Sequence, residues 1–284
     1  MTVTTDSIVY LNGELMPIAE ARIPVLDRGF IFGDGVYEVI PVYGGKPFRA
    51  AEHLARLARS LEAIGIPNPH DPAAWQGLVG ELMRANPMPD QMIYIQVTRG
   101  VARRTHAFPK EVTPTVFLMS SPMALPPSDA VEKGVACVTM EDRRWLHCQI
   151  KSTSLLGNVL AAQTAAREGA TEAIQFRDGM LTEASASNVW VVRDGAVAAP
   201  RKDNRILEGI RYGLIEELCE GFSIPLVARD ITRDEVFAAD EVLLSSASKE
   251  ILPVVTIDGK TIGAGTPGPV FRQLYAAYQH AKLG

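Results

Sequence analysis

The sequence predicts a mixed α/β protein with two domains. The chain has 284 residues, of which 47% are hydrophobic and 21% charged, and this length suits one large or two moderate domains of about 100–200 residues each. Residues 120–129, which read Ser-Ser-Pro-Met-Ala-Leu-Pro-Pro-Ser-Asp, have the composition of a linker. Downstream, Asp-Gly dipeptides between short apolar runs predict antiparallel hairpins in place of successive βαβ units. We therefore expect a small N-terminal domain over 1–120, a linker over 121–130 and a larger C-terminal domain over 131–284.

The N-terminal domain is expected to contain two helices packed on strands. Asn12-Gly13 lies between two apolar-rich runs and is a strong hairpin signal. Residues 51–64 predict an amphipathic helix with leucines along one stripe. A second helix is expected over 71–85, capped by Asp71 before a proline. Strands are predicted at 36–43, 92–99 and 115–119.

The C-terminal domain is expected to begin with a strand over 134–140 and a helix from near Lys151 to about Arg167. Three hydroxyl residues after the lysine can each cap this helix: Ser152, Thr153 and Ser154. Its apolar face is predicted from a spacing of four, three and four: Leu155, Val159, Ala162 and Ala166. Short strands, a helix over 209–222 and a C-terminal helix over 267–282 complete the domain.

Composition and charge argue against several classes of partner. The formal net charge is -5 and the isoelectric point about 5.6, which does not favour nucleic acid or an anionic membrane. No apolar run approaches the roughly 20 residues of a membrane-spanning helix, and no signal peptide is recognised. The three cysteines are dispersed, so we predict neither a disulfide framework nor a metal site, and we expect a cytoplasmic protein.

Lys151 is the first candidate for chemistry. It follows a segment of aromatic, apolar and cationic residues over 140–150 and precedes the predicted helix. A lysine amine at such a point lies near a core and loses water, which favours the neutral form that attacks an aldehyde. This makes Lys151 a candidate Schiff-base lysine. A solvated lysine at a helix start is the alternative interpretation, and the neighbouring motifs must decide.

Three further features are suited to binding a phosphate. Gly209-Ile210-Arg211 begins a predicted helix, whose first N–H groups can bind an anion. Small hydroxyl residues over 245–248 follow a predicted strand, and Arg56 lies on the helix whose other face is leucine. Each also has a structural interpretation, since serines form turns and a helical arginine is commonly solvated.

Two more features complete a set that matches one cofactor. Glu183 is an acid at a strand end, and Arg104 and His106 are spaced so that extended chain points both in one direction. Such a pair can bind a carboxylate, although a basic surface loop is the alternative. Pyridoxal phosphate (PLP) requires a lysine for its aldehyde, an acid for its ring nitrogen and donors for its phosphate. Together the motifs predict a PLP site.

Six stretches, in order along the chain, resemble the class IV, fold-type IV PLP-dependent aminotransferases. They are Asp-Arg-Gly-Phe-Ile-Phe-Gly-Asp-Gly-Val-Tyr-Glu over 27–38, Glu-His-Leu-Ala-Arg-Leu over 52–57, the run 97–109 with Arg104-Thr-His-Ala-Phe-Pro, Ile-Lys-Ser over 150–152 with Leu-Leu-Gly over 155–157, Thr182-Glu183 with Ser-Asn-Val over 187–189, and Leu-Glu-Gly-Ile over 207–210. The resemblance covers nearly the whole chain and is closest to the D-amino acid aminotransferases. It implies an α/β (α+β) two-domain fold of fold type IV.

The resemblance implies roles in cofactor binding. Lys151 would bind the PLP aldehyde and move a proton from the substrate, Glu183 would pair with the pyridine nitrogen, and Leu207 would pack on the ring. The phosphate would be bound by Arg56, the helix start at Gly209, Ile210 and Arg211, and the turn at Ser246 and Ala247.

The resemblance also implies a substrate site and an activity. Tyr37, Arg104 and His106 would trap the substrate α-carboxylate in the orientation that D-amino acids require. The implied reaction is ping-pong transfer of an amino group from a D-amino acid such as D-alanine to a 2-oxo acid such as 2-oxoglutarate. A cytoplasmic homodimer is expected, with small-molecule amino acid and 2-oxo acid substrates, no metal, no nucleic acid and no membrane.

Several positions depart from the family pattern. Arg211, Trp190 and Ala247 stand where the family commonly has other residues, and Arg103 beside Arg104 leaves open which arginine points inward. The alternatives are a branched-chain L-amino acid transaminase, an (R)-amine transaminase, a 4-amino-4-deoxychorismate lyase and a family member that binds the cofactor without catalysis. The Arg104/His106 pair favours the D-amino acid activity, and intact Lys151 and Glu183 favour an enzyme.

Overall fold

The computed structural model describes residues 7–111 and 113–283, with the backbone alone at residue 283. The chain divides into two compact units. The first contains the described residues up to Met123 together with Ile150–Ser154, and the second contains Ala124–Gln149 and the described residues from Leu155 onward.

The first unit is an antiparallel six-stranded sheet with helices. The strand order is β2-β1-β6-β5-β3-β4. Its elements are β1 (Ile8–Leu11), β2 (Glu14–Pro17), α1 (Arg28–Phe32), β3 (Gly35–Tyr43), β4 (Lys46–Pro47), α2 (Ala50–Ala63), α3 (Pro72–Ala85), β5 (Gln91–Thr98) and β6 (Thr115–Pro122).

The predicted elements of this unit are present. Asn12 and Gly13, both with positive φ, form the β1–β2 hairpin. Leu57 and Leu61 of α2 are buried in the core against the sheet. Asp71 caps α3 by accepting a hydrogen bond from the Ala74 N–H at 2.8 Å. These elements formed as predicted because their signals are local in sequence.

Helix α1 was not predicted, because it is short and its cap is its only strong signal. Asp27 is 1% exposed, and its carboxylate accepts a hydrogen bond from the Gly29 N–H at 2.8 Å. The same side chain accepts from the hydroxyls of Thr98 and Thr115. Gly33 ends the helix with φ 65°, a conformation that favours glycine. Helix α1 is therefore fixed to the ends of β5 and β6.

The second unit has a nine-stranded, largely antiparallel sheet. The order is β12-β11-β10-β13-β14-β7-β8-β9, with β15 also paired to β14. Its elements are α4 (Ser128–Glu132), β7 (Val135–Glu141), α5 (Leu156–Arg167), β8 (Glu172–Arg177), β9 (Met180–Ala184), β10 (Asn188–Arg193), β11 (Ala196–Ala199), α6 (Ile210–Gly221), β12 (Leu226–Ala228), α7 (Arg233–Phe237), β13 (Glu241–Ser246), β14 (Glu250–Ile257), β15 (Lys260–Thr261) and α8 (Pro269–Leu283).

The Asp-Gly turns make this unit antiparallel where the sequence predicts hairpins. The turns at 178–179 and 194–195 join β8 to β9 and β10 to β11. Parallel pairing is limited to β7 with β8, β7 with β14 and β11 with β12. No helix in the described part of the chain is long and apolar enough to cross a membrane.

The start of α5 differs from the prediction. Its N-cap is Leu155, and no side chain caps the helix. The hydroxyls of Thr153 and Ser154 donate instead to the Gly33 carbonyl, at 2.9 and 3.1 Å. The predicted apolar face is also wrong: Val159 is 58% exposed, while Ala161 and Ala165 of α5 are buried. The hydroxyl residues stabilise a loop of the first unit, so they are not available to the helix.

The predicted domain limits differ from the two units in two places. Residues 150–154, predicted within the C-terminal domain, belong to the first unit, where the Tyr37 N–H donates to the Lys151 carbonyl at 2.9 Å. Helix α4 begins inside the segment predicted as a linker, 121–130.

Candidate active site

Lys151 lies beside strand β3 of the first unit and is held by its backbone. Its carbonyl accepts from the Tyr37 N–H at 2.9 Å, and its own N–H donates to Ser60 Oγ at 3.3 Å. Ser152 forms an isolated antiparallel bridge with Val36. Lys151 Nζ is 4.2 Å from the centroid of the Tyr37 ring, a cation–π contact. The amine is thus half-buried and in contact with a residue predicted to bind substrate.

Arg56 is buried on α2, in an ion pair with Glu38 of β3. Its Nε donates to Glu38 Oε2 at 2.9 Å and its Nη2 to Oε1 at 2.7 Å. His53 Nδ1 lies 2.8 Å from the same Oε1. Burial alone would raise the pKa of Glu38, but the charges and hydrogen bonds of Arg56 and His53 outweigh it and hold that pKa well below its ordinary value. The pair fixes Arg56 in one orientation; its phosphate contact stays a prediction.

Arg104 and His106 are exposed and lie at the same aromatic ring. The His106 ring centroid is 5.6 Å from that of Phe32, and the Arg104 guanidinium is 5.5 Å from the Phe32 centroid. The backbone of this loop is held by Arg28, which donates to the carbonyls of Thr105 at 2.6 Å and His106 at 3.2 Å. The two predicted carboxylate ligands thus both lie near Phe32, and their binding of a carboxylate stays a prediction.

A second buried arginine fixes the other end of the same loop. Arg99 donates to Asp34 through Nε at 2.8 Å and Nη2 at 3.0 Å, and Arg28 donates to Asp34 at 2.7 Å. The Arg99 guanidinium also lies 3.6 Å from the centroid of the Phe108 ring. Burial opposes ionisation of Asp34, but the two arginines outweigh it and lower its pKa. The loop over 100–109 is thus tied to a cluster of two arginines and one carboxylate.

Glu183, in the second unit, is the acid predicted to pair with the cofactor ring nitrogen. It lies on β9 and is buried. One carboxylate oxygen accepts from Arg144 Nη1, and the other accepts from the Leu207 N–H at 2.9 Å. Burial raises the pKa of Glu183, and the charge of Arg144 offsets only part of this effect. The carboxylate therefore has a higher proton affinity than an ordinary glutamate.

Arg144 is itself held by a second carboxylate. Its Nε and Nη2 donate to the two oxygens of Asp142 at 2.9 and 2.8 Å. Thr182, which precedes Glu183, donates its hydroxyl to Asp142 at 2.9 Å. Burial opposes ionisation of Asp142, but Arg144 outweighs it and lowers the pKa of Asp142. Because Arg144 is shared with an ionised aspartate, it neutralises Glu183 incompletely.

Asn188 connects Glu183 to the start of α6. Its side-chain amide donates to the Leu207 carbonyl at 2.8 Å, while the Leu207 N–H serves Glu183. Gly209 is the N-cap of α6, and a Cβ at this position would collide with Asn188 Oδ1. The first N–H groups of a helix have no intrahelical partner, so the start of α6 at Ile210 can bind an anion.

The side chain of Arg211 is directed to α8. It is 1% exposed, and its Nε donates to the Tyr278 hydroxyl at 3.1 Å. Ser246, at the end of β13, accepts a hydrogen bond from the Lys249 N–H at 3.1 Å, so Ala247 lies in a closed turn. Ser245 is paired with Asn188 across the β10–β13 ladder, which places this turn beside the Leu207 segment.

Sequence reasoning did not find Glu38, His53, Asp142, Arg144 or Arg28. The available signal was a charged residue at a predicted core position. His53 and Arg56 are three apart on the buried side of α2, and Glu38 faces them from an otherwise apolar strand. The pairing of Arg144 with Glu183 had no comparable signal in the sequence, because the two residues are 39 positions apart.

Each unit contains residues of the types that the predicted cofactor needs. PLP needs an amine for its aldehyde, an acid for its ring nitrogen and donors for its phosphate. Lys151, a buried Glu183 and the glycine-capped start of α6 are of these types. No group of histidine, cysteine and acidic residues suited to a metal ion occurs over 7–111 and 113–283.

Comparison with known proteins agrees with this chemistry. Residues 35–257 match the family model of amino-transferase class IV. The D-alanine aminotransferase of Staphylococcus aureus (strain MSSA476) is 42% identical over 272 residues, covering 95% of this chain and 96% of that protein. The D-alanine aminotransferase of Bacillus licheniformis is 40% identical over 275 residues, 97% of each chain.

Solved structures give the same result for the fold. The branched-chain amino acid aminotransferase from Thermobaculum terrenum, in its PLP form, superposes with a TM-score of 0.84 at 26% identity, covering 98% of this chain and 94% of that one. The predicted fold class, family and cofactor are confirmed. The chain belongs to the class IV aminotransferases, which use PLP.

Proposed function

We propose that this aminotransferase acts on D-amino acids, transferring the amino group of a substrate such as D-alanine to a 2-oxo acid such as 2-oxoglutarate. The observation that carries the proposal is the 42% identity, over 95% of the chain, to a D-alanine aminotransferase. The positions of Arg104 and His106 near one ring, that of Phe32, support it from the structure, because both side chains can donate hydrogen bonds to a carboxylate.

Lys151 would hold PLP through its aldehyde, and its amine, once displaced by the substrate amine, would serve as the base. Its Nζ takes the proton from the substrate Cα, a task for which a half-buried amine is suited. The backbone hydrogen bonds to Tyr37 and Ser60 fix where that amine starts. When bound, PLP supplies an electron sink that makes the Cα–H bond acidic.

Glu183 holds a proton at the pyridine nitrogen. Its raised pKa suits this role, because a carboxylate of high proton affinity shares a proton readily with a ring nitrogen. The Leu207 N–H keeps one carboxylate oxygen in place. The Leu207 side chain would pack on the ring.

Arg56, the backbone at Gly209, Ile210 and Arg211, and the turn at Ser246 and Ala247 are the groups that would hold the phosphate. The Arg211 side chain, bonded to Tyr278, contributes no charge in this proposal. Ser246 Oγ uses a lone pair for the Lys249 N–H and keeps its proton for a ligand.

Tyr37, Arg104 and His106 bind the substrate carboxylate. Fixing that group decides which face of Cα is turned to the base, so the trap selects the D-enantiomer. Arg28 keeps the loop in shape through the Thr105 and His106 carbonyls.

The proposal includes a cytoplasmic homodimer. Exposed apolar side chains support a second copy as partner, since such faces mark interaction surfaces when they are contiguous. On α5 of the second unit, Leu156, Val159 and Leu160 are all more than half exposed. In the first unit, Val25 and Phe30 are 73% and 75% exposed. Analytical ultracentrifugation of the purified protein checks the dimer, and a monomer at all concentrations would remove it.

The deciding experiment follows the absorbance of the bound cofactor. We expect D-alanine to abolish the visible band, with release of pyruvate, while L-leucine leaves it unchanged. Loss of the band with L-leucine alone would instead support the branched-chain activity. Pyruvate release from aminodeoxychorismate with the band intact would support the lyase.

Lys151→Ala is expected to abolish turnover, because both the covalent link and the base are lost. The matched control is Lys133→Ala, an exposed lysine paired with Asp129 at 3.0 Å, which should keep full activity. Substantial activity in Lys151→Ala would disprove the mechanism.

Arg104→Ala tests the carboxylate trap. We expect the KM for D-alanine to rise at least about tenfold, since a charge-assisted hydrogen bond contributes roughly 1.5–3 kcal/mol. The KM for an (R)-amine without a carboxylate should change little. Arg103→Ala, the adjacent exposed arginine, is the control. If the two variants behave alike, Arg104 is not a carboxylate ligand.

A further inference from the structure

Glu172, on β8, contacts two loops of the second unit. It has no role in the catalytic scheme proposed above. It is 1% exposed and accepts four hydrogen bonds. Three come from one loop, from the hydroxyls of Ser185 and Ser187, the latter at 2.8 Å, and from the Ala186 N–H at 3.1 Å. The fourth comes from Lys249 Nζ at 2.7 Å. Four donors thus converge on the two oxygens of one buried carboxylate.

The two loops are the ones that flank predicted cofactor ligands. Residues 185–187 join β9, which carries Glu183, to β10, which begins at Asn188. Lys249 closes the turn that begins at Ser246 and Ala247. One buried carboxylate therefore holds both loops, and Lys249 contacts it from the second loop.

The serines of the two loops differ in whether their hydroxyl protons are already used. Ser185 and Ser187 each have one proton, and both protons go to Glu172. Ser246 accepts from Lys249, so its proton is available. The Ser246 hydroxyl can therefore donate to a phosphate, whereas the Ser185 and Ser187 hydroxyls already donate to Glu172.

We propose that Glu172 and Lys249 are a positioning pair for the phosphate end of PLP. By holding the 246–249 turn against the 185–187 loop, the pair presents the Ser246 hydroxyl and the turn backbone to the phosphate. The inference rests on the proposed function only in that the turn binds the cofactor phosphate. Neither residue touches substrate or takes part in proton transfer.

The test measures cofactor affinity in the apoenzyme. Lys249→Met keeps the length of the side chain and removes its charge, and a side chain that is 26% exposed tolerates the change. We expect the Kd for PLP to rise about tenfold, equivalent to roughly 1.4 kcal/mol, as measured by quenching of tryptophan fluorescence. The Kd for pyridoxal, which lacks the phosphate, should rise less than about twofold. Lys249→Arg should restore most of the PLP affinity, because it keeps the charge.

Lys282→Met is the matched control. Lys282 forms a salt bridge of the same length, 2.7 Å, to Glu250, so its loss reports general destabilisation of the unit. This variant should leave the ratio of the two Kd values unchanged. An equal rise for PLP and pyridoxal in Lys249→Met, or no rise at all, overturns the positioning role. If the wild-type apoenzyme fails to bind PLP, the proposed function itself is wrong.

Discussion

Two buried glutamates, one in each unit, show how differently the protein treats the same side chain. Glu38 and Glu183 are both buried, at 0% and 6% exposure, and each accepts from an arginine. The pKa of Glu38 nevertheless lies far below its ordinary value, while that of Glu183 lies above it. Burial raises both pKa values, so the difference comes from the partners.

Glu38 accepts from Arg56 and lies 2.8 Å from His53 Nδ1, and both partners lower its pKa. Glu183 has one arginine, and Arg144 also makes a two-point contact with Asp142. The ratio of positive to negative groups thus decides whether a buried carboxylate stays ionised or keeps affinity for a proton. The ionised Glu38 holds Arg56 in place, whereas Glu183 keeps a raised affinity for a proton.

The comparison is tested most strongly by Glu183→Gln. An amide cannot hold the proton at the ring nitrogen, and we expect kcat to fall by at least about a hundredfold. Thermal stability should change little, because Glu183 is not favourably placed as an ion. Glu241→Gln is the control: this buried glutamate of the same unit accepts from the Val270 and Phe271 N–H groups, and its loss should lower Tm with kcat retained. Near-normal turnover in Glu183→Gln would end the distinction drawn between the two acids.

Glu38→Gln should show the reverse pattern in stability. The change leaves the buried Arg56 charge without its carboxylate, and removal of one partner of a buried ion pair costs about 3–5 kcal/mol. Urea unfolding measures the loss. Glu52→Gln breaks the partly exposed pair with Arg49 on the same helix and should cost below about 1 kcal/mol. Equal losses in the two variants would show that the buried pair does not stabilise the fold.

The smallest effect is the pH dependence of stability, which has opposite signs at the two sites. The pKa of Glu38 is lowered on folding, so its stabilisation is complete above the unfolded value of 4.5 and is lost as the pH falls below it. The pKa of Glu183 is raised from 4.5, so the folded state loses stability as the pH rises through that raised value. Tm measured from about pH 2 to about pH 8 should rise with pH more steeply in Glu183→Gln than in wild type, and less steeply below pH 4.5 in Glu38→Gln. Parallel curves would refute the assignment.

Much of the fold could be predicted because its signals are local. The leucine stripe of α2, the Asp71 cap of α3 and the Asp-Gly hairpins each depend on residues a few positions apart. The start of α5 was mispredicted because the contact that decides it is distant in sequence. Thr153 and Ser154 have ordinary capping chemistry, and their actual partner, Gly33, lies about 120 residues earlier.

The candidate site, like the fold, could be predicted only where its signals are local in sequence. Lys151, Glu183 and the α6 start could be named from motifs that resemble a family, and their roles remain predictions for the experiments above. The partners that tune them could not be named, because Arg144 and Glu183, or Arg56 and Glu38, are brought together only by the sheet. The orientation of Arg211 was also open in the sequence, since a helix start does not reveal that Tyr278 of α8 lies within reach.

The main chain and the side chain of Leu207 have different roles in the candidate site. The contacts that fix Glu183 and Asn188 use the main chain of Leu207, its N–H on one side and its carbonyl on the other. Any residue except proline supplies both groups. The side chain at 207, which we propose faces the cofactor ring, can therefore be exchanged, in evolution or in the laboratory, while the hydrogen bonds to the acid are kept.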